Sequence, residues 1–396
     1  MRLLVILGTR PEAIKLTPLV QFFRSQPEFE VQVCVTAQHR AMLDQVLEAF
    51  SIRPDFDLDL MRPGQTLTGL MARILTALES ILKQHRPDAV IVQGDTTTTL
   101  AGALAAFHEH LDVGHVEGGL RTGDLRQPFP EEMNRVLTGR LSRWHFAPTA
   151  RAKAALVSEG VPAERVHITG NTGIDAVFEV SKALDAGLLS VEPWPWLDPS
   201  KQLILVTSHR RENFGPGFER VLSALVELAR RPDVQIAYPV HSNPNVAGPA
   251  QCTLSGVENI FLLDPLPYVP FVHLMRRARL ILTDSGGIQE EAPSLGKPVL
   301  VLRDKTERPE AVEAGTVKLV GTHTGRILAE ATRLLDDNAE YSRMTRVHNP
   351  YGDGHACERI AAAILGRPGA PFDPSLSRMA GERRVQLTES VGLQRV

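Results

Sequence analysis

Short, continuously apolar runs alternate with longer helix-like segments from one end of the chain to the other. The runs fall at 3–7, 31–36, 89–92, 113–116 and 144–147, and then at 203–207, 235–240, 260–263, 280–283, 298–302 and 316–320. Runs that are apolar at every position suit strands covered on both faces. Such strands separated by helices build parallel sheets. The expected fold class is therefore α/β, with two Rossmann-like doubly wound domains facing a central cleft. Ligands of such sheets sit beyond the carboxyl ends of the strands. A Pro/Trp-rich stretch at 191–199 interrupts helix continuity and reads as the end of a linker, with the hinge within 170–200. The stretch 366–396 mixes Pro, Gly, Ser and charge without a period and reads as a poorly ordered or loosely docked tail.

Composition narrows this picture. At 396 residues the chain is too long for one compact core, and 43% hydrophobic residues are ample for two. A formal net charge of −3 gives no basic footprint for nucleic acid. No apolar run approaches the roughly 20 residues of a membrane span. The apolar start at 1–8 is short and fits a first buried strand better than a signal peptide. Cys34, Cys252 and Cys357 are far apart, show no metal-ligand spacing and read as free thiols in a reducing cytoplasm. The expected partners exclude nucleic acid and membrane, and no metal is expected.

The candidate chemistry gathers where strands end. Leu280-Ile281-Leu282-Thr283 runs into Asp284-Ser285-Gly286-Gly287-Ile288-Gln289-Glu290-Glu291, a strand delivering bare backbone to a helix start. Gly286 and Gly287 let a ligand approach the peptide N–H groups, and a helix N-terminus suits phosphate. Glu290 and Glu291 offer carboxylates to sugar hydroxyls. The first strand ends in Gly8-Thr9-Arg10-Pro11-Glu12-Ala13-Ile14-Lys15, with Pro11 suited to a first helical turn and Arg10 and Lys15 on either side of it. These cations face a diphosphate or sugar, or else they are surface charges. The absence of Gly-x-Gly-x-x-Gly there disfavours a dinucleotide cofactor, so none is expected.

Asp95 follows the strand 89–92 and precedes four threonines that mark a helix start. It is either an N-cap or a carboxylate aimed at substrate. Glu117 directly follows a buried strand, where an acid needs a partner or a task. It either pairs with Arg121 or works as an acid or base. Glu131 and Glu132 open a helix after Pro128-Phe129-Pro130 and, on position alone, read as helix-start charges. His209 ends the first strand of the second half among cations. It serves phosphate chemistry or pairs with Glu212. Leu266 and Phe271 lie in a Pro-rich segment whose rings either stack on a base or simply pack. Arg308, after 298–302, binds ribose or phosphate or forms a surface ion pair.

In combination these segments resemble the non-hydrolysing UDP-N-acetylglucosamine 2-epimerases. The resemblance rests on Gly8 to Lys15, Gly94-Asp95-Thr96-Thr97-Thr98-Thr99, Thr283 to Pro293, Thr306-Glu307-Arg308-Pro309-Glu310 and Asn349-Pro350-Tyr351-Gly352-Asp353-Gly354. It spans about 1–365. It implies a glycosyltransferase-B-like fold, with an N-terminal Rossmann-like domain at 1–170 and a UDP-binding one at 171–350. A helix at 351–366 would cross back to the first domain, and 367–396 would form the tail. It also implies a homodimer. By resemblance Asp95, Glu117, Glu131 and His209 take catalytic positions, which moves Glu131 away from a mere helix-start charge. Arg10 and Lys15 match residues facing substrate and diphosphate, and Phe271 and Leu266 the uracil surroundings. Ser285, Gly286 and Gly287 match the phosphate turn, Glu291 the ribose carboxylate and Arg308 a further nucleotide contact. Gly118 stands where alanine is expected. Gln38-His39-Arg40 resembles part of a region where members hold a second UDP-GlcNAc as activator, while Ala41 and Gly64 replace longer polar groups of some members.

The implied reaction converts UDP-GlcNAc to UDP-ManNAc, supplying ManNAc-type sugars for surface polysaccharide. The C2 proton of such a sugar is not next to a carbonyl, so direct removal is hard. Loss of UDP from C1 develops positive charge there and acidifies the neighbouring C–H. The expected route is elimination to 2-acetamidoglucal and re-addition of UDP with protonation on the other face. The other readings are a UDP-sugar transferase of the same fold, a non-catalytic nucleotide-sugar sensor, and a hydrolysing epimerase.

Overall fold

The computed structural model describes residues 1–36, 40–62, 64–346 and 348–374. Backbone contacts divide the chain into two units. Unit 1 comprises Met1–Glu179 with Gly352–Phe372, and unit 2 contains Val180–Tyr351.

Unit 1 begins β1 (Arg2–Leu7), α1 (Arg10–Arg24), β2 (Glu30–Val35), α2 (Arg40–Ala49), β3 (Phe56–Asp57), α3 (Leu67–His85), β4 (Ala89–Gln93) and α4 (Thr97–His108). It continues with β5 (Asp112–Val116), α5 (Glu131–Leu141), β6 (Trp144–Ala147), α6 (Ala150–Ser158), β7 (Val166–Ile168) and α7 (Thr172–Asp185), the last running across the division. Its seven strands are ordered β3-β2-β1-β4-β5-β6-β7, and every pairing is parallel. β1 and β4 are buried almost throughout, as their unbroken apolar sequence requires. In α3, Leu70, Ile74, Leu78 and Leu82 recur every four residues and form the buried stripe that lies on this sheet. Thr66 starts that helix by accepting from Gly69 N at 3.1 Å.

Unit 2 runs β8 (Gln202–Thr207), α8 (Pro216–Ala229), β9 (Val234–Pro239), α9 (Pro244–Leu254), β10 (Ile260–Leu263), α10 (Tyr268–Arg277), β11 (Leu280–Thr283) and α11 (Gly286–Ser294). It ends with β12 (Val299–Val301), α12 (Pro309–Ala314), β13 (Val317–Leu319), α13 (Thr324–Asp336) and α14 (Asn338–Thr345). Its sheet order is β10-β9-β8-β11-β12-β13, again wholly parallel. α15 (Ala356–Ile364) then returns to unit 1. Ala356, Cys357, Ile360, Ala361 and Ile364 are its buried face.

Each sheet reverses its winding once, between β1 and β4 in unit 1 and between β8 and β11 in unit 2. In doubly wound sheets the turns at the carboxyl ends of those strands are where ligands bind.

The 191–199 stretch is a docked segment rather than a free linker. Trp196 stacks on Phe261 with centroids 4.7 Å apart, and Trp194 meets His273 edge-on at 5.4 Å. The stretch from 366 is likewise anchored at first. Phe372 is buried, and its N–H donates to Ile168 O at 2.8 Å. The rest of that stretch, 375–396, lies outside the described residues.

Candidate active site

In unit 1 the acidic residues stand on adjacent strand ends. Gln93, the last residue of β4, is paired with Val116, the last of β5, so Asp95 and Glu117 leave the sheet side by side. Two backbone devices turn them. Gly94 sits at φ +75°, and Glu117 itself takes a left-handed φ of 64°, a conformation non-glycine residues rarely adopt. His115 Nε2 bonds Gly94 O at 2.7 Å and ties the Asp95 turn to the Glu117 strand.

Asp95 is not a helix cap. Thr96 caps α4, accepting from Thr99 N at 3.1 Å. The Asp95 carboxylate instead takes Arg135 Nη2 at 2.7 Å, and its carbonyl takes Asn134 Nδ2 at 2.8 Å. Burial pushes the Asp95 carboxyl up and nearby Glu117 adds to this, while Arg135 pulls it down; the net direction is upward. Arg135 also reaches Glu132 at 3.1 Å, and Glu132 accepts from the Thr122 and Gly123 N–H groups at 2.9 and 3.0 Å. Glu132 is thus occupied in holding its loop. Glu131 opens α5, and its Oε2 is buried with no hydrogen-bond partner among the described residues.

Glu117 does not pair with Arg121, which forms a two-pronged bond to Glu159 at 2.7 and 3.0 Å. Glu117 accepts from Lys15 Nζ and Gln93 Nε2, and from Asn171 Nδ2 at 3.0 Å. Lys15 therefore points from α1 into the acidic cluster. Arg10 is the half-buried first residue of α1. Below it lies Glu12, buried, accepting from Gly8 N (3.0 Å), Thr9 N (2.7 Å), Thr96 Oγ1 (2.7 Å) and Thr99 Oγ1 (3.1 Å). It joins the starts of α1 and α4. Burial raises its carboxyl despite these donors.

Unit 2 builds its own strand-end cluster around Asp284. This fully buried carboxylate accepts from the N–H groups of His209 and Arg210, both at 2.9 Å, from Ser208 Oγ at 2.9 Å and from Asn213 Nδ2 at 3.2 Å. The carboxyl end of β11 thereby fixes the loop at the carboxyl end of β8. His209 Nδ1 lies 3.6 Å from Asp284, and its ring stacks on His241 with centroids 5.3 Å apart. Burial holds the His209 pKa below its ordinary value, with His241 and Arg210 adding to this and Asp284 opposing it. His209 does not pair with Glu212, which binds Arg303.

Ser285 precedes α11 without making a side-chain cap, so the first N–H groups of that helix have none. A Cβ on Gly286 would fall 2.6 Å from the Arg308 guanidinium, so only glycine lets the arginine lie against this turn. Arg308 is buried and bound to Glu290 at 2.6 Å, not a surface pair. Glu290 is consequently committed to Arg308, while Glu291 is half-buried one position on. Gly287 follows in the same first turn, and Leu266 and the α10 residue Phe271 are half-buried. Gln38 and His39 lie outside the described residues.

A cavity of about 820 Å³, lined by Asp112, Trp144, His167 and others, lies at the opposite, amino edge of the unit 1 sheet and contains none of these side chains. Sequence reasoning missed Asp284, Gln93, Asn171 and Arg135. The first two sit beside singled-out residues in strand-end segments, which was their only local signal.

Two parallel, doubly wound units with ionisable groups at both switch points define a Rossmann-like protein of glycosyltransferase-B-like build. The glycotransferase of kitacinnamycin shares that fold at a TM-score of 0.57 and 12% identity, covering 97% of this chain and 98% of its own. The family profile described as UDP-N-acetylglucosamine 2-epimerase matches residues 21–365. The Yersinia pestis UDP-N-acetylglucosamine 2-epimerase is 58% identical over 369 residues, 92% of this chain and 98% of its own. The Neisseria meningitidis UDP-GlcNAc 2-epimerase, solved bound to UDP-GlcNAc, superposes with a TM-score of 0.87 at 48% identity, covering 93% of this chain and 100% of its own. The chain belongs to the UDP-N-acetylglucosamine 2-epimerase family, whose members are isomerases.

Proposed function

We propose that this chain interconverts UDP-GlcNAc and UDP-ManNAc at C2 by eliminating UDP to 2-acetamidoglucal and adding it back. The observation that carries the proposal is the pair of carboxylates, Asp95 and Glu117, leaving adjacent strand ends with separate cations on each. Inversion at C2 needs proton handling on both faces of the sugar, and a surplus of carboxylates suits that. Asp95, Glu117 and Glu131 are the proton-handling groups of this reading. His209 assists the departing phosphate, with Arg10 and Lys15 on the diphosphate. Ser285, Gly286 and Gly287 take phosphate through the start of α11. Glu291, Arg308, Leu266 and Phe271 take the nucleoside. No nicotinamide is needed, because the leaving group acidifies the C–H. Exclusion of water would keep the glycal and UDP from escaping.

The relatives' names and the bound UDP-GlcNAc of the Neisseria protein support this substrate. The reading extends to a cytoplasmic homodimer feeding surface polysaccharide. It also extends to a second UDP-GlcNAc as activator, as the Methanocaldococcus jannaschii enzyme, 33% identical, was solved with both UDP-GlcNAc and UDP.

Turnover in D2O tests the chemistry. Solvent deuterium should appear at C2 of the product, and its absence rejects elimination. Incubation without an acceptor separates the epimerase from a transferase, which would leave UDP-GlcNAc unchanged. A non-catalytic sensor would leave it unchanged under every condition.

A further inference from the structure

Glu117 is held by more than its cation. Gln93 and Asn171 are neutral amides, and each directs an N–H₂ donor at a different oxygen of this carboxylate, Gln93 at Oε2 and Asn171 at Oε1. The Asn171 amide has only one workable orientation. Its Oδ1 accepts from Gly173 N at 2.9 Å, which leaves Nδ2 for Glu117 at 3.0 Å. Gly173 packs beside the arrangement, its Cβ position 3.4 Å from Asn171 Oδ1 and 3.7 Å from the Lys15 stem. Gln93 is buried at the end of β4, beside Val116 in the sheet register. The donors thus arrive from three separate elements, α1, β4 and the turn before α7.

We propose that Gln93 and Asn171 are positioning residues that keep Glu117 an aimed, ionised carboxylate, and so make it the base for one face of C2. This rests on the epimerase reading above. In that step the C2–H bond breaks and the proton passes to a Glu117 oxygen. The electron pair becomes the C1–C2 double bond, and the C1–O bond breaks with its pair leaving on the β-phosphate of UDP. The epimer forms when UDP re-adds at C1 and another of the proton-handling carboxylates delivers a proton to the opposite face of C2; the reverse path returns the proton through Glu117.

Donors to a carboxylate favour its charged form. Lys15 is the one donor here whose charge an arriving diphosphate can compete for. The two amides carry no charge and remain in place when it does. Glu117 therefore enters the step as a carboxylate of fixed direction, ready to take the proton, although its backbone is held in a left-handed conformation.

Asn171→Asp keeps the oxygen that receives Gly173 N and removes only the donor. Gln93→Glu does the same at the other oxygen. In each, an acid next to Glu117 should favour its protonated form. Turnover at neutral pH is expected to fall about 10²-fold, the scale of one positioned acid or base. The acidic limb of the kcat profile should move up by about one pH unit or more, so activity recovers partly toward alkaline pH, and the Kd for UDP should stay within about threefold. An equal loss at every pH, or an unmoved profile, overturns the proposal. Should Asn171→Asp fail to fold, Gln93→Glu decides alone. Glu117→Gln separates the layers: if it still exchanges deuterium at C2, the epimerase assignment of Glu117 is wrong, whereas a dead Glu117→Gln beside unmoved Gln93 and Asn171 profiles sinks only the positioning role.

Discussion

Arg135 Nη2 lies 2.7 Å from Asp95 Oδ2, and the same guanidinium reaches Glu132 at 3.1 Å. One cation from α5 thus serves two acids of unequal exposure. Glu132 is 1% exposed and fixes a loop, whereas 26% of the Asp95 side chain stays open. The exposed partner is the one available to a ligand.

Removing that cation should change the pH at which Asp95 works. Burial already raises its carboxyl, and Arg135 is the strongest influence holding it down, ahead of Lys15. In Arg135→Met the Asp95 pKa rises further, so ionised Asp95 appears only at higher pH and the acidic limb of kcat moves upward. Asp95→Asn should lose turnover about 10²–10⁴-fold while the UDP Kd stays within a few fold. A large loss of UDP affinity would make Asp95 a binding residue. Steady-state profiles and calorimetry read both.

His209 should respond with the opposite sign. Asp284 is the group raising its pKa against burial, His241 and Arg210. Asp284→Asn therefore lowers the His209 pKa further, and the protonated ring is lost at a lower pH. NMR titration of His209 should show the midpoint moving down. A midpoint that rises would mean that Asp284 does not act on the ring.

Gly286→Ala places a methyl against the Arg308 guanidinium. Displacing Arg308 strains its buried bond to Glu290, and the start of α11 loses its shape. UDP affinity should drop at least about tenfold, equivalent to about 1.4 kcal/mol. Isothermal titration measures it, and undiminished affinity would remove this turn from the phosphate site.

Glu12→Gln puts an N–H₂ donor among groups that all donate to Glu12. Leaving one or more unsatisfied should cost about 1–3 kcal/mol. Thermal unfolding reports it as a lower Tm. An unchanged Tm would mean that the two helix starts hold together without it.

The long strands were legible because their apolar runs are continuous. Ile260–Leu263 and Leu280–Thr283 have the limits that the apolar runs predict. β3 and β7 escaped, since two and three residues with Asp57 and His167 in them carry no apolar run. At the site, strand-end position picked out Asp95, Glu117 and His209, but not what holds them. Glu117 meets Lys15 across 102 positions, and His209 meets Asp284 across 75. Local pattern offered Arg121 and Glu212 instead because they were near in sequence. Such pairings follow from strand order, which no short window contains.

Asp175 of α7 accepts the Cys357 N–H at 2.9 Å and the Ala356 N–H at 3.3 Å, fastening the start of α15 to the last helix before the first crossing. The α15 face formed by Cys357, Ile360 and Ile364 then completes unit 1 from beyond the whole unit 2 sheet in sequence. A crossover that exchanged only the first 179 codons between two relatives would graft a domain onto a foreign final helix. Viable chimaeras should therefore take residues 1–179 and 352–372 from one parent.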